Sequence, residues 1–232
     1  MEARNYRYQV MRGKQPDPYD QYQHLERLFK KHDLDPVYFF LTGRLGPYDR
    51  NISSSSQKFK VLVKTTSQEF KIGIHPSYAS NILTDRIQEE INKLAKISGK
   101  EIFRSRQHFL KVQLPYTYRN LMHMGITEEY SMGYAEQIGF RASIANPFRF
   151  FDLESNKRTD LIVYPFQVMD VTLRDYLSLK PGEAIDKIAG LIDHTRAVGG
   201  TFSALWHNES LSEWEDWTGW SVVFNRMLEM AT

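Results

Sequence analysis

The chain has 232 residues, 41% of them hydrophobic and 13% aromatic, and a formal net charge of +2. That is enough apolar material for a full core in one domain of the larger α/β kind, and a near-neutral charge gives no reason to expect nucleic acid or an anionic membrane as a partner. There is no cysteine, so disulfides, thiolate nucleophiles and thiolate metal sites are excluded and any metal must rest on His, Asp or Glu.

No apolar run approaches the roughly 20 residues of a membrane span. The stretch Met1-Glu2-Ala3-Arg4-Asn5-Tyr6 has no apolar signal core, and a soluble cytoplasmic protein is the default expectation. Residues 1–16 are polar and basic with no clear period and are read as a tail, and residues 17–232 as one domain. Asp17-Pro18-Tyr19-Asp20 reads as a helix start, with Asp17 as N-cap and Pro18 in the first helical position; Tyr22, Leu25, Leu28 and Phe29 give its apolar face. Val37 to Leu41 is a continuous apolar run, typical of a strand covered on both faces, and Thr42 to Asp49 is the loop after it.

Ser53 to Ser56 offers an N-cap, and Phe59, Leu62 and Val63 fit a short helix. Lys71-Ile72-Gly73-Ile74 alternates with period two, and Pro76 cannot donate to a ladder, so a strand should stop at His75. A helix from Ser80 to about Lys96 carries Ile82, Leu83, Ile87, Ile91 and Leu94 on one face, with Gly99 as its C-cap. Short strands are expected near Ile102-Phe103, at Gly139 to Ser143, at Leu161-Ile162-Val163 and at Thr201 to His207. Helices are expected over Tyr116–Met124, around Ala184–Ile192 and over Trp217–Met230. Helix and strand in such alternation argue for parallel strands with crossover helices. Polar residues at repeated strand ends favour a barrel over an open sheet, because a barrel assembles its site from several strand ends.

His75, the pair Arg106 and His108, His207 and, more weakly, Arg141 share one form: an apolar strand, a basic side chain, then a turn. If the strands are parallel and adjacent, these groups meet at one rim. Neutral imidazoles suit zinc or a similar divalent ion, which would lower the pKa of its water toward 7, while a separate histidine could move the proton. Each has a plain alternative. His75 could cap its strand, His108 could support other ligands from behind, Arg106 and Arg141 could be structural ion-pair partners, and Trp206 and Trp214 could box His207 into a core.

The set Ile72-Gly73-Ile74-His75-Pro76-Ser77, Ser105-Arg106-Gln107-His108, Tyr130-Ser131-Met132-Gly133-Tyr134, Gly139-Phe140-Arg141-Ala142 and Leu205-Trp206-His207-Asn208, in that order, resembles the polysaccharide deacetylase-like proteins of the NodB homology group, in a branch common in Bacteroidetes. The resemblance implies a distorted, incomplete (β/α) barrel and metal-dependent removal of acetyl groups from sugars in an acetylated oligo- or polysaccharide. It implies metal ligation by His75, with His108 in place of a second histidine, and zinc as the foremost metal. It makes His207 the catalytic acid, Arg141 an orienting catalytic group, and Arg106 and Trp206 substrate contacts. Two departures stand out. Ala79 occupies the position four residues after His75 where the family carries its second metal histidine, and no strand ending in paired aspartates precedes Asp17. A chain without those aspartates admits a second reading, a catalytically inactive carbohydrate-binding protein of the same fold.

Overall fold

The computed structural model describes residues 3–44, 46–81 and 85–232. Five strands run parallel in the order they occur along the sheet: β1 (Val37–Phe40), β2 (Lys71–Ile74), β3 (Arg104–Ser105), β4 (Glu128–Glu129) and β6 (Lys157–Val163). β5 (Phe148–Asp152) adds an antiparallel edge on β6. β7 (Val168–Met169) and β8 (Ala204–Leu205) form a separate parallel pair. The fold is therefore mixed α/β with a mostly parallel sheet, in the form of a barrel whose wall is interrupted.

Helix periodicity fixes how the wall is covered. α3 (Gln57–Glu69) buries Phe59, Val63 and Thr66, and α4 (Asp85–Ser98) buries Ile87, Ile91 and Leu94, each set on one face. With Tyr118 and Leu121 of α5 (Tyr116–His123) they pack on Phe40, Ile72, Ile74, Leu161 and Val163 of the sheet. A second core gathers Leu25 of α2 (Tyr22–Lys31), Ala184, Ile188 and Leu191 of α6 (Pro181–Ala197), and Val223, Phe224 and Met227 of α7 (Ser221–Ala231). A small third cluster joins Leu110, Phe166, Met169 and Leu205.

Several elements differ from the sequence expectations, each for a local reason. Residues 3–11 form α1 (Ala3–Met11) where a tail without regular structure was expected. Asp17 does not cap a helix: its carboxylate accepts the Tyr19 N–H at 3.0 Å and its carbonyl accepts the Asp20 N–H at 3.0 Å, closing a turn, so α2 begins only at Tyr22. β1 is an edge strand and only Phe40 in it is fully buried, so it is not covered on both faces. The helix after Ser56, expected to be short, runs 13 residues. Gly139 to Ser143 is a turn, not a strand, with φ of 124° at Gly139 and 56° at Ser143, neither of which an extended chain allows. β3 lies two residues beyond Ile102-Phe103, and β4, an acidic pair, has no apolar pattern to announce it. Leu45, Ile82 and Leu83 lie outside the described residues.

A candidate active site at the strand ends

The chain leaves β2 at His75, β3 at Arg106 and His108, β7 at Asp170 and β8 at His207. Parallel pairing delivers His75, Arg106 and His108 to one end of the main sheet, and Asp170 and His207 to one end of the separate β7–β8 pair. The His75 N–H donates to the Phe40 carbonyl at 2.9 Å and the Arg106 N–H to the Ile74 carbonyl at 3.0 Å, so the ladders hold to the last residue before the site. Gly73 makes this close packing possible. A Cβ there would stand 2.6 Å from Cε1 of Phe39 and 2.9 Å from Cβ of Arg104.

The His75 ring donates from Nδ1 to the Arg106 carbonyl at 2.7 Å. That bond fixes the tautomer and leaves Nε2 as a free lone pair, the arrangement of an imidazole prepared to hold a cation or accept a proton. Burial, with His108 beside it, lowers the His75 pKa to about 3, so the ring is neutral across the ordinary range. His108 is stacked on it, with ring centroids 4.8 Å apart. Burial depresses the pKa of His108 as well, against the opposing pull of Asp49.

Asp49 is a residue that the sequence reading passed over, treating it only as part of a loop. It is buried, with one carboxylate oxygen accepting the Tyr78 N–H at 2.8 Å and the other the Gly46 N–H at 3.1 Å. The first of these oxygens lies 3.1 Å from Nδ1 of His108 without the alignment of a hydrogen bond, and that nitrogen is buried and has no hydrogen-bond partner. An imidazole nitrogen and a carboxylate oxygen at this spacing suit two donors on one ion in chemical type and separation. Among the described residues, however, no group of three or more His, Asp or Glu side chains is drawn together closely enough to form a metal centre.

His207 presents the opposite environment. Its Nδ1–H donates to Asp170 at 2.7 Å, and the second Asp170 oxygen accepts the His207 backbone N–H at 2.7 Å. Asp170 also accepts the Val171 N–H at 2.8 Å and is fully buried. Burial lowers the proton affinity of the His207 ring, but Asp170 outweighs it and the pKa is raised, with Glu209 adding to the effect. The ring is 45% exposed, so water screens part of that field. His207 in turn lowers the pKa of both His75 and His108.

The other expected site residues fall into different surroundings. Arg106 turns its guanidinium into the barrel, 4.5 Å over Phe39, and donates from Nε to the Tyr130 carbonyl at 3.1 Å. Burial lowers its pKa to about 10, against the pull of the buried Glu129. Arg141 donates to the Gly133 carbonyl at 3.0 Å within its loop. Trp206 packs against Phe224 of α7 in the second core, while its neighbour Leu205 joins the third cluster. The cavity lined by Arg44, Ser77, Arg86, Glu90 and Lys93 touches none of His75, His108 and His207.

No family model matches the chain, and no curated protein does. Among solved structures it is similar to a crystal structure from Mycobacterium smegmatis described as a candidate polysaccharide deacetylase, with a TM-score of 0.65 over 91% of this chain and 70% of that one, at 13% identity. At that identity the likeness is one of fold. A protein from Bordetella bronchiseptica described as a candidate polysaccharide deacetylase of O-antigen biosynthesis aligns over 68% of this chain and 56% of that one, at 15% identity and a TM-score of 0.41, too low to carry an argument.

Proposed function

We propose that this chain is a hydrolase of the polysaccharide deacetylase type, of the NodB homology group and acting in the cytoplasm, that removes acetyl groups from an acetylated oligo- or polysaccharide. One observation carries the reading. A histidine with a raised pKa, His207 on Asp170, depresses the pKa of two further imidazoles, His75 and His108, the second of them beside the Asp49 carboxylate, at the strand ends of a fold like that of the mycobacterial protein.

His108 and Asp49 would offer two donors to a divalent ion, zinc foremost, and His75 a third; as they stand the three do not form one metal centre, so an ion would have to draw them together. Such an ion, when bound, supplies a water of lowered pKa and polarises a carbonyl. The residues supply the rest. The Arg106 carbonyl holds the His75 tautomer, so that Nε2 and not Nδ1 keeps the lone pair. Asp170 holds the His207 Nδ1–H, which leaves the opposite ring nitrogen to carry the mobile proton. In the reaction the water oxygen bonds to the acetyl carbon and the bond from that carbon to the sugar nitrogen or oxygen breaks. The His207 proton goes to the departing atom, and of the two protons lost by the water one restores that of His207 and the other leaves with solvent, giving acetate and a free amine or hydroxyl. Arg106 and Arg141 act in this reading by positioning backbone, and Trp206 by packing behind His207.

Acetate release from acetylated oligosaccharides, measured with and without chelator, tests the proposal. Chelator-sensitive release that is lost in His207→Ala supports it. Binding of the sugar with no release in any metal-loaded preparation supports the inactive carbohydrate-binding reading instead.

A further inference from the structure

The ring stack that begins at His75 continues outward past His108. Phe109 lies parallel to His108, with centroids 4.7 Å apart and planes at 9°. Phe109 is 51% exposed and Tyr48 is 57% exposed. Phe109 stands almost perpendicular to Tyr48 and Tyr78, at 90° and 85°, and the two tyrosine rings are 4.5 Å apart. The three rings make a corner open to solvent, against the side of the site that holds Asp49 and His108.

The backbone here is strained to that end. Phe109 and Leu110 have φ of 55° and 52°, the left-handed region that large side chains rarely enter. Leu110 gains burial in the third core cluster, but Phe109 does not. Core packing therefore leaves the conformation of Phe109 unexplained; its effect is to hold an aromatic face outward beside the imidazoles. Lys111 donates to the Tyr78 hydroxyl at 2.7 Å and stands 4.2 Å over the Tyr78 ring. A cation already in the corner argues against a cationic ligand. It also gives donors for hydroxyl groups beside apolar faces. A sugar ring, with a C–H face for the negative face of an aromatic ring and hydroxyls at its rim, meets both features.

We infer that Tyr48, Tyr78 and Phe109 form a subsite for one sugar ring, the unit next to the one whose acetyl group meets His75 and His207. The inference rests on the deacetylase reading for the chemistry, and adds which residues hold the neighbouring sugar unit.

Calorimetric titration of the full chain with N-acetylated chitotetraose against N-acetylglucosamine, and with acetylated xylotetraose against acetylated xylose, tests it. One tetraose is expected to bind at least tenfold more tightly than its monosaccharide. Phe109→Asn keeps the left-handed backbone, which asparagine tolerates, and Tyr48→Ala removes an exposed ring; each should bring that ratio toward one. If Phe109→Asn fails to fold, Tyr48→Ala decides. Equal binding of tetraose and monosaccharide, no binding of any of the four sugars, or a ratio unchanged in the folded variants overturns the subsite. Acetate release is followed in parallel. Release without a length preference sinks the subsite and leaves the deacetylase reading, whereas a length preference without release does the reverse.

Discussion

The histidines after β2 and β3 and the histidine after β8 occupy the same kind of position, a strand end, yet their proton affinities are driven apart. His75 and His108 are stacked and desolvated, and burial, with His108 beside His75 and His207 near both, lowers the pKa of each. His207 has half its ring in water and a buried carboxylate on Nδ1, so it keeps its proton to higher pH. One residue type thus supplies both lone pairs and a proton donor, and what distinguishes them is the partner of Nδ1: a neutral carbonyl at His75, a charged carboxylate at His207. Changing those partners tests the division.

The largest effect is expected at the acid. His207→Ala should reduce acetate release about 10²–10⁴-fold, the usual contribution of a placed general acid. Asp170→Asn should reduce it by a comparable factor and lower the pKa of the His207 ring. An Asp170→Asn protein with undiminished release would show that the pair does not act as a unit. On the other side, His108→Ala should weaken zinc binding by at least about 10–100-fold in a calorimetric titration, the range found when even a supporting partner of a metal ligand is removed. Asp49→Asn should weaken it too. Zinc binding unchanged in both variants would remove the proposed roles of that imidazole and carboxylate.

The neutral pair can also be disturbed from beneath. Gly73→Ala places a methyl against Phe39 and the stem of Arg104, and overpacking of this kind costs about 1–3 kcal/mol. Denaturant unfolding should show that loss, with weakened zinc binding beside it because β2 carries His75. Gly99→Ala, at a helix end with open space around it, is strained only by its φ of 72° and serves as the control for backbone strain alone.

How much of this was legible follows from what each element rests on. The helices over 116–123 and 181–197 and the β2 strand were visible because periodicity of apolar residues decides them. His75 and His207 were visible because each follows an apolar strand and precedes a turn. β4 was not, since Glu128 and Glu129 are held by pairing and by partners distant in sequence: Arg104 for Glu128, and Tyr118 for Glu129. Nor was the β5–β6 hairpin, whose register breaks at a bulge between Arg149 and Phe151. Asp49 read as part of a loop, and Asp170 was not singled out. Only the meeting of loops remote in the chain turns them toward His108 and His207. A faint signal existed for Asp170, which directly follows the short strand Val168–Met169.

The effect that reads the two environments most directly is in stability against pH, measured on metal-free protein by denaturant titration. His75 binds protons less readily folded than unfolded. Its contribution is complete above the unfolded histidine pKa of about 6.5 and is lost as pH falls toward its folded pKa of about 3. His207 binds protons more readily folded, so its contribution is complete below about 6.5 and is lost as pH rises through its raised folded pKa. The histidine part of the profile should therefore peak near 6.5, rising on the acid side through His75 and His108 and falling on the alkaline side through His207. Screening at the exposed His207 ring makes the alkaline limb the shallower one. Asp170→Asn should flatten that limb and leave the acid limb, and His75→Gln should reduce the acid limb and leave the other. A single variant that flattened both would mean that the two sets of imidazoles titrate as one coupled group, and the division of labour between them would have to be abandoned.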